Sequence, residues 1–170
     1  LRGGPDRQIH HLRVRAIVNA AGPWVGEVLQ NRLKRSNTPP LRLVKGSHII
    51  TRRLFDHDRA YILQNDDGRI VFAIPYEADF TLIGTTDVDI DGDPGAATIS
   101  PAETDYLCAA INRFFATPIT PKDVVATFAG VRPLYDDGAI AAHQATRDFV
   151  VELDDGTDSP PLLNIYGGKI

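Results

Sequence analysis

The sequence predicts an α+β fold, with a largely antiparallel or mixed β-sheet and a few helices. Three observations lead there. Runs of β-branched and aromatic residues broken by turn signals fill residues 41–84 and return after 124, as half-buried strands do. A helix with a complete start signal lies between those stretches, from Pro101 to about Phe115. Strands and helices do not alternate one for one, as a regular parallel βαβ sheet requires.

Val14, Ala16, Ile17 and Val18 read as a short strand, followed by the small-residue segment Asn19-Ala20-Ala21-Gly22-Pro23-Trp24, which lets another backbone or a ligand come close. Trp24 to Leu33 predicts a helix, with Trp24, Val25, Val28 and Leu29 at helical spacing and Pro23 suited to its first turn. After the polar loop Ser36–Pro40 and the run Leu41–Thr51, three segments form a predicted meander. Ala60–Gln64 enters the turn Asn65-Asp66-Asp67-Gly68, whose Asp-Gly end is a hairpin signal; Arg69–Ile74 follows, then a turn at Pro75–Asp79, then Phe80–Gly84.

The helix from Pro101 has Ser100 as its cap, proline at the first position and Glu103 to complete a capping box. Tyr106, Leu107, Ala110, Ile111, Phe114 and Phe115 make one apolar stripe, which reads as core. Thr117-Pro118 ends it, and Thr120-Pro121-Lys122-Asp123 opens a short second helix. Val124–Ala129, Phe149–Leu153 and Leu162–Tyr166 are the closing strands, the last two joined by Asp154-Asp155-Gly156.

A length of 170 residues fits one domain, 1–170, with room for a core. The net charge of −4 and the lack of a basic tract interleaved with aromatics argue against a nucleic-acid partner. Cys108, the single cysteine, excludes an internal disulfide and a cysteine-rich metal cage; its apolar neighbours make it a buried structural thiol. No metal ligand set is expected. With no apolar run of about 20 residues and no hydrophobic signal core at the start, a cytoplasmic protein is expected. Both ends read as cut through structured segments, so the chain is expected to be a piece of a longer one.

No Walker A loop, His-Glu-x-x-His pair, Gly-x-Ser-x-Gly elbow or Gly-x-Gly-x-x-Gly fingerprint is present. What remains is a set of glycine-bearing segments beside cations: Lys45-Gly46-Ser47-His48, Gly130-Val131-Arg132-Pro133 and Gly167-Gly168-Lys169, with Gly84-Thr85-Thr86-Asp87 adding hydroxyls. Each follows an apolar run, so each is expected to be a turn that sets its side chain at the rim of one sheet. A cation beside a glycine suits a small anion, and an arginine fork holds phosphate or carboxylate bidentately. Taken singly, each is also what an ordinary surface turn looks like.

Val18-Asn19-Ala20-Ala21-Gly22-Pro23-Trp24 resembles a segment closing the FAD-binding part of the glycine/D-amino-acid oxidase superfamily. With Lys45–His48, Ala60–Gln64, Ile83–Asp87, Gly130-Val131-Arg132-Pro133-Leu134, Thr146-Arg147-Asp148 and Gly167-Gly168-Lys169 in that order, the chain is similar to the aerobic, FAD-linked glycerol-3-phosphate dehydrogenases over nearly its whole length. The resemblance implies the substrate-side portion of a FAD-linked oxidoreductase, lacking the family's N-terminal FAD fingerprint and C-terminal helical domain. It implies oxidation of sn-glycerol 3-phosphate to dihydroxyacetone phosphate, with hydride to FAD, electrons to quinone, and the enzyme peripheral on the inner face of a membrane. Two alternatives stay open: an oxidase using oxygen, and a binding module that kept the fold and lost its flavin.

Within that resemblance Arg132 is expected to hold the phosphate or to supply charge beside it, with Lys169 as the second candidate and Lys45 adding positive potential. His48 is the expected general base, since an imidazole titrates in the useful range. Ala20, Ala21, Gly22, Thr85, Gly130 and Gly168 are the expected flavin neighbours. Competing readings are an Arg132 ion pair with Asp136 or Asp137 and a backbone-satisfied His48. His10, His11, His57 and His143 are expected to be solvated. Lacking a fingerprint turn, the 170 residues alone are expected to bind FAD weakly or not at all, and uncovered sheet edges are expected to favour self-association.

Overall fold

The structure, a computed structural model, describes residues 2–3, 8–9, 11–35, 39–136, 148–156 and 160–168. Its centre is a six-stranded sheet built on β4 (Leu41–Arg52) and β9 (Val124–Tyr135), paired antiparallel almost end to end. The other edge of β4 is shared: β7 (Phe80–Gly84) pairs with His48–Arg52, and the two-residue β8 (Val88–Asp89) pairs with Val44 and Lys45. Beyond β7 lie β6 (Ile70–Tyr76) and β5 (Tyr61–Gln64), completing the predicted meander. Residues 85–87 break the ladder between β7 and β8, opposite the middle of β4.

Helix α2 (Pro101–Asn112) covers one face of this sheet. Ser100 Oγ accepts from the Glu103 amide at 3.3 Å while Glu103 Oε2 accepts from the Ser100 amide at 2.9 Å, so the predicted capping box is complete. Leu107, Cys108, Ala110 and Ile111 pack on Ile49, Leu63, Val71, Ala73 and Ile83, one side chain from every second strand position. Cys108 is buried, as expected, and burial pushes its thiol pKa up. Phe114 departs from the predicted stripe: it lies beyond the last helical turn and is 47% exposed.

A second, three-stranded sheet joins β3 (Ile17–Asn19), β11 (Leu162–Gly167) and β10 (Phe149–Asp154), with β3 parallel to β11. The helical segment after β3 starts as a 3₁₀ turn at Gly22–Trp24, passes through α1 (Val25–Glu27) and widens to a π turn at Val28–Arg32. Its Val25 and Leu29 pack on Leu162 and Tyr166. A separate two-residue hairpin pairs β1 (Arg2–Gly3) with β2 (Gln8–Ile9).

Several expected boundaries move. The turn expected at Pro75–Asp79 shortens to 77–79, because β6 runs on through Pro75 to Tyr76; β5 ends opposite Ala73, and a residue with no N–H is tolerated where one flank is unpaired. Lys45–His48 and Gly130–Pro133, expected as turns, are interior strand residues, and Gly46 faces Gly130 across the ladder. Pro121–Asp123 forms the short 3₁₀ turn expected there. No helix among the described residues is long and apolar enough to cross a membrane.

Candidate active site

Strand alternation divides the chemistry between the two faces of the sheet. On β4, Lys45, Ser47 and Ile49 point toward α2, and Gly46 and His48 toward the open side. The register sets Arg132 opposite Val44, Gly130 opposite Gly46 and Phe128 opposite His48, all on the open side. His48 stacks on Phe128 with ring centroids 4.6 Å apart and planes 6° from parallel.

Two glycines make room for the two functional side chains. A Cβ added at Gly46 collides with the Arg132 guanidinium, and one added at Gly84 collides with the His48 imidazole. Each group therefore lies close over a glycine, where any side chain forces it away. Gly46 on β4 and Gly84 on β7 are offset by two residues along the ladder and one strand across it, so the perches lie roughly 8 Å apart. On β9, between Phe128 and Arg132 on the same face, a Cβ added at Gly130 meets nothing within 4 Å.

Burial pushes the His48 pKa below its ordinary value, and the Arg132 charge pushes it the same way. The imidazole is thus neutral at pH 7 and able to take a proton. Its Nδ1 is buried with no hydrogen-bond partner among the described residues, so the backbone-satisfied reading of this atom does not hold.

Arg132 is ion-paired, to a residue that sequence reasoning missed. Its Nη1 donates to Asp87 Oδ1 at 2.9 Å and its Nη2 to Thr85 Oγ1 at 3.3 Å. Of the two partners expected for it, Asp137 lies outside the described residues, and the Asp136 amide bonds the Pro40 carbonyl.

The loop that supplies Thr85 and Asp87 is fastened from beneath. Thr86 Oγ1 accepts from the Ser47 amide at 3.0 Å, filling in for the broken ladder, and donates to Glu103 Oε1 at 2.8 Å. Ser47 Oγ donates to the same oxygen at 2.8 Å, and Lys45 Nζ lies 2.7 Å from Glu103 Oε2 and donates to the Thr98 carbonyl at 2.8 Å. Burial pushes the Glu103 pKa up, but the bonds from Lys45, Ser100, Thr86 and Ser47 prevail and hold it at about 2, from 4.5. The capping-box signal found Glu103 as a cap; nothing local in the sequence signals its second role.

A carboxylate depressed this far adds stability that is complete above its unfolded pKa near 4.5 and is lost as pH falls toward about 2. The shift corresponds to about 3 kcal/mol at neutral pH. Glu103→Gln in the full-length protein is expected to lower the opening free energy of the α2 amides by that order at pH 7. The gap to wild type should close by about pH 2. Hydrogen exchange corrected for intrinsic rates measures both, and equal protection at pH 7 would remove the anchoring role.

The remaining expected residues fall into three groups. Lys45 is corrected: its ammonium is on the α2 face, buried against Glu103, and so turned away from Arg132 and His48. Lys169 lies outside the described residues, as do Thr146, Arg147, His10 and His143. His57 is corrected too. It is half-buried, its Nε2 is 2.8 Å from the Tyr61 hydroxyl, and it stacks on Phe55, so an aromatic cluster holds it at the surface. His11 is exposed.

Ala20, Ala21 and Gly22 follow β3, and Gly168 follows β11, at the carboxyl ends of two adjacent parallel strands. Ligands of α/β sheets collect at such ends. The 3₁₀ turn at Gly22–Trp24 packs against both β9 and β11. These glycines leave room for a close-lying group: an added Cβ meets nothing at Gly22 or Gly130, and only the Phe149 Cβ, at 3.5 Å, at Gly168. Thr85 differs, since its hydroxyl is engaged by Arg132. A groove of about 1290 Å³ runs along residues 16–21 and the π turn; it takes in Ala20 and Ala21 and excludes His48 and Arg132. Among the described residues no group of His, Cys, Asp or Glu is placed to hold a metal ion.

Residues 2–168 match the FAD dependent oxidoreductases, and the chain belongs to that family. It is 47% identical over 165 residues to a glycerol-3-phosphate dehydrogenase of Pseudomonas aeruginosa, covering 97% of this chain and 32% of that one. It is 46% identical over 169 residues to a D-erythritol 1-phosphate dehydrogenase of Brucella abortus, covering 99% of this chain and 34% of the relative. Among solved structures, the glycerol-3-phosphate dehydrogenase of Bacillus halodurans complexed with FAD superposes with a TM-score of 0.75 at 32% identity, over 96% of this chain and 30% of that one. The chain thus spans about a third of the length of the curated relatives it matches.

Proposed function

We propose that this chain is the substrate-side unit of a longer flavoenzyme that oxidises a small polyol phosphate, with glycerol 3-phosphate as the first candidate. The single observation that carries the reading is the pair formed by Arg132 and His48. A fixed cation and an uncharged base share one open face, over glycines roughly 8 Å apart, with a vacancy at Gly130 on the neighbouring strand. Arg132 holds the phosphate, with Lys169 as a second ligand. His48 takes the proton from the hydroxyl that is oxidised, and Ala20, Ala21, Gly22, Gly130 and Gly168 border the flavin. FAD, when bound, supplies the redox chemistry by accepting a hydride.

The same face suits the alcohol's other needs. Phe128 stacks on the imidazole and fixes the orientation of its plane, and the register sets the apolar Phe72 opposite Gly84 on the same face. Quinone as acceptor and a peripheral position on the inner face of a membrane belong to this reading through the family resemblance, and so does a cytoplasmic origin. Self-association of the 170 residues alone is supported by open-face side chains such as Ile62, 69% exposed.

The Brucella relative favours a second reading, in which the preferred substrate is the longer D-erythritol 1-phosphate. Anaerobic flavin reduction in the full-length protein separates the two. Glycerol 3-phosphate should reduce the flavin, unphosphorylated glycerol should do so far more slowly, and a higher kcat/KM for D-erythritol 1-phosphate would select the second reading. Gly130→Val should keep the fold, having nothing to strike, and lower kcat/KM at least about a hundredfold by filling the vacancy. Reduction by glycerol as readily as by its phosphate would defeat the proposal.

A further inference from the structure

We propose that Asp87 is a positioning residue, acting through Arg132 to set the plane of the phosphate-binding fork. The inference rests on the reading of Arg132 given above. An arginine side chain has four flexible bonds, and a bidentate contact needs its plane fixed. The structure supplies two fixing points, Asp87 on Nη1 and Thr85 on Nη2, and so uses two of the five N–H donors. Gly46 beneath clears the space in which the fork lies.

The fixing points are themselves immobilised. Thr86, between them, is buried and bonded to both Ser47 and Glu103. On the far side, Arg42 holds Asp89 with two hydrogen bonds, of 2.5 and 2.6 Å, which pins β8 to β4. A loop tied down on both sides of Asp87 fixes the carboxylate, and the carboxylate fixes the guanidinium. The Asp87 side chain is 12% exposed and that of Arg132 19%, so solvent screens the pair weakly.

Charge and position predict opposite signs for the loss of Asp87. As a bare negative charge beside an anion site, Asp87 repels phosphate, and its removal strengthens binding. As a positioning residue it holds the fork ready, and its removal weakens binding. The probe is inorganic phosphate, titrated calorimetrically into the full-length FAD-loaded protein, with glycerol 3-phosphate kinetics alongside.

Asp87→Ala should raise the phosphate dissociation constant at least tenfold and raise KM for glycerol 3-phosphate more than it lowers kcat. Asp87→Asn, which keeps an oxygen for Nη1, should lie between it and wild type; this variant decides the matter if Asp87→Ala does not fold or load FAD. In an Arg132→Ala background the Asp87→Ala change should alter phosphate affinity less than twofold. Tighter or unchanged phosphate binding in both Asp87 variants would overturn the proposal, and so would a full effect that persists without Arg132. Wild-type protein that neither binds phosphate nor is reduced by any polyol phosphate would overturn the Arg132 reading and this inference together.

Discussion

His48→Gln in the full-length flavoprotein is expected to slow flavin reduction by glycerol 3-phosphate by about 10²–10⁴-fold, the range a positioned general base contributes. Substrate affinity should move far less, because Arg132 and the floor formed by Gly46, Gly84 and Gly130 are untouched. Glutamine keeps much of the imidazole's reach and polarity and cannot take the proton. The pH profile carries a second signature. With burial and the Arg132 charge both lowering the His48 pKa, the base is already deprotonated at neutral pH. The acid limb of wild-type kcat/KM should therefore lie below the ordinary histidine value of about 6.5 and disappear in His48→Gln. Stopped-flow reduction measures the rate and its pH dependence together. An unchanged reduction rate would assign the proton transfer to another group.

The two candidate groups were legible in the sequence as residue types, and their environment was not. The α2 start was readable because capping is local: Ser100, Pro101 and Glu103 satisfy one another within four positions. Phe80–Gly84 was readable for the same reason, being a short alternating run with turn residues before it. Glycine and proline misled at Lys45–His48 and Gly130–Pro133, where they usually break strands. There the glycines serve the opposite strand's side chains, with Gly46 clearing Arg132 and Gly84 clearing His48, and that use depends on a register no local pattern encodes. Pro133 is tolerated because β9, among the described residues, has a ladder partner only in β4.

Charge pairing was the least readable property. Lys45 and Arg132 looked alike in sequence, each a cation beside a glycine. Strand alternation sends one to Glu103 behind the sheet and the other to the open face with Asp87. The partners are 58 and 45 residues away in the chain, so only the folded topology tells a structural lysine from a ligand-facing arginine. His57 misled in the same way: its setting is made by Phe55 and Tyr61, which meet it only once the segment before β5 folds back.

Arg132→Lys should be the most damaging conservative change in the chain. Lysine keeps the unit charge, so a purely electrostatic role predicts a small loss. The structure asks more of this position. The guanidinium donates to Asp87 and Thr85 at once and keeps three N–H groups for a ligand, in a plane fixed by its own delocalisation. An ammonium has three donors and no plane, so holding Asp87 and Thr85 leaves it one. Losing about two charge-assisted hydrogen bonds to phosphate, at about 1.5–3 kcal/mol each, corresponds to a fall in kcat/KM of about 10²–10⁴-fold. The fall should appear for glycerol 3-phosphate and be nearly absent for unphosphorylated glycerol, however poor a substrate that is, because only the phosphate meets the fork. Steady-state kinetics on both substrates, with the flavin spectrum as a check on folding, measures the contrast. Near-wild-type kcat/KM for glycerol 3-phosphate in Arg132→Lys would show that charge alone suffices, and an equal loss on both substrates would move Arg132 from the phosphate to the reacting carbon.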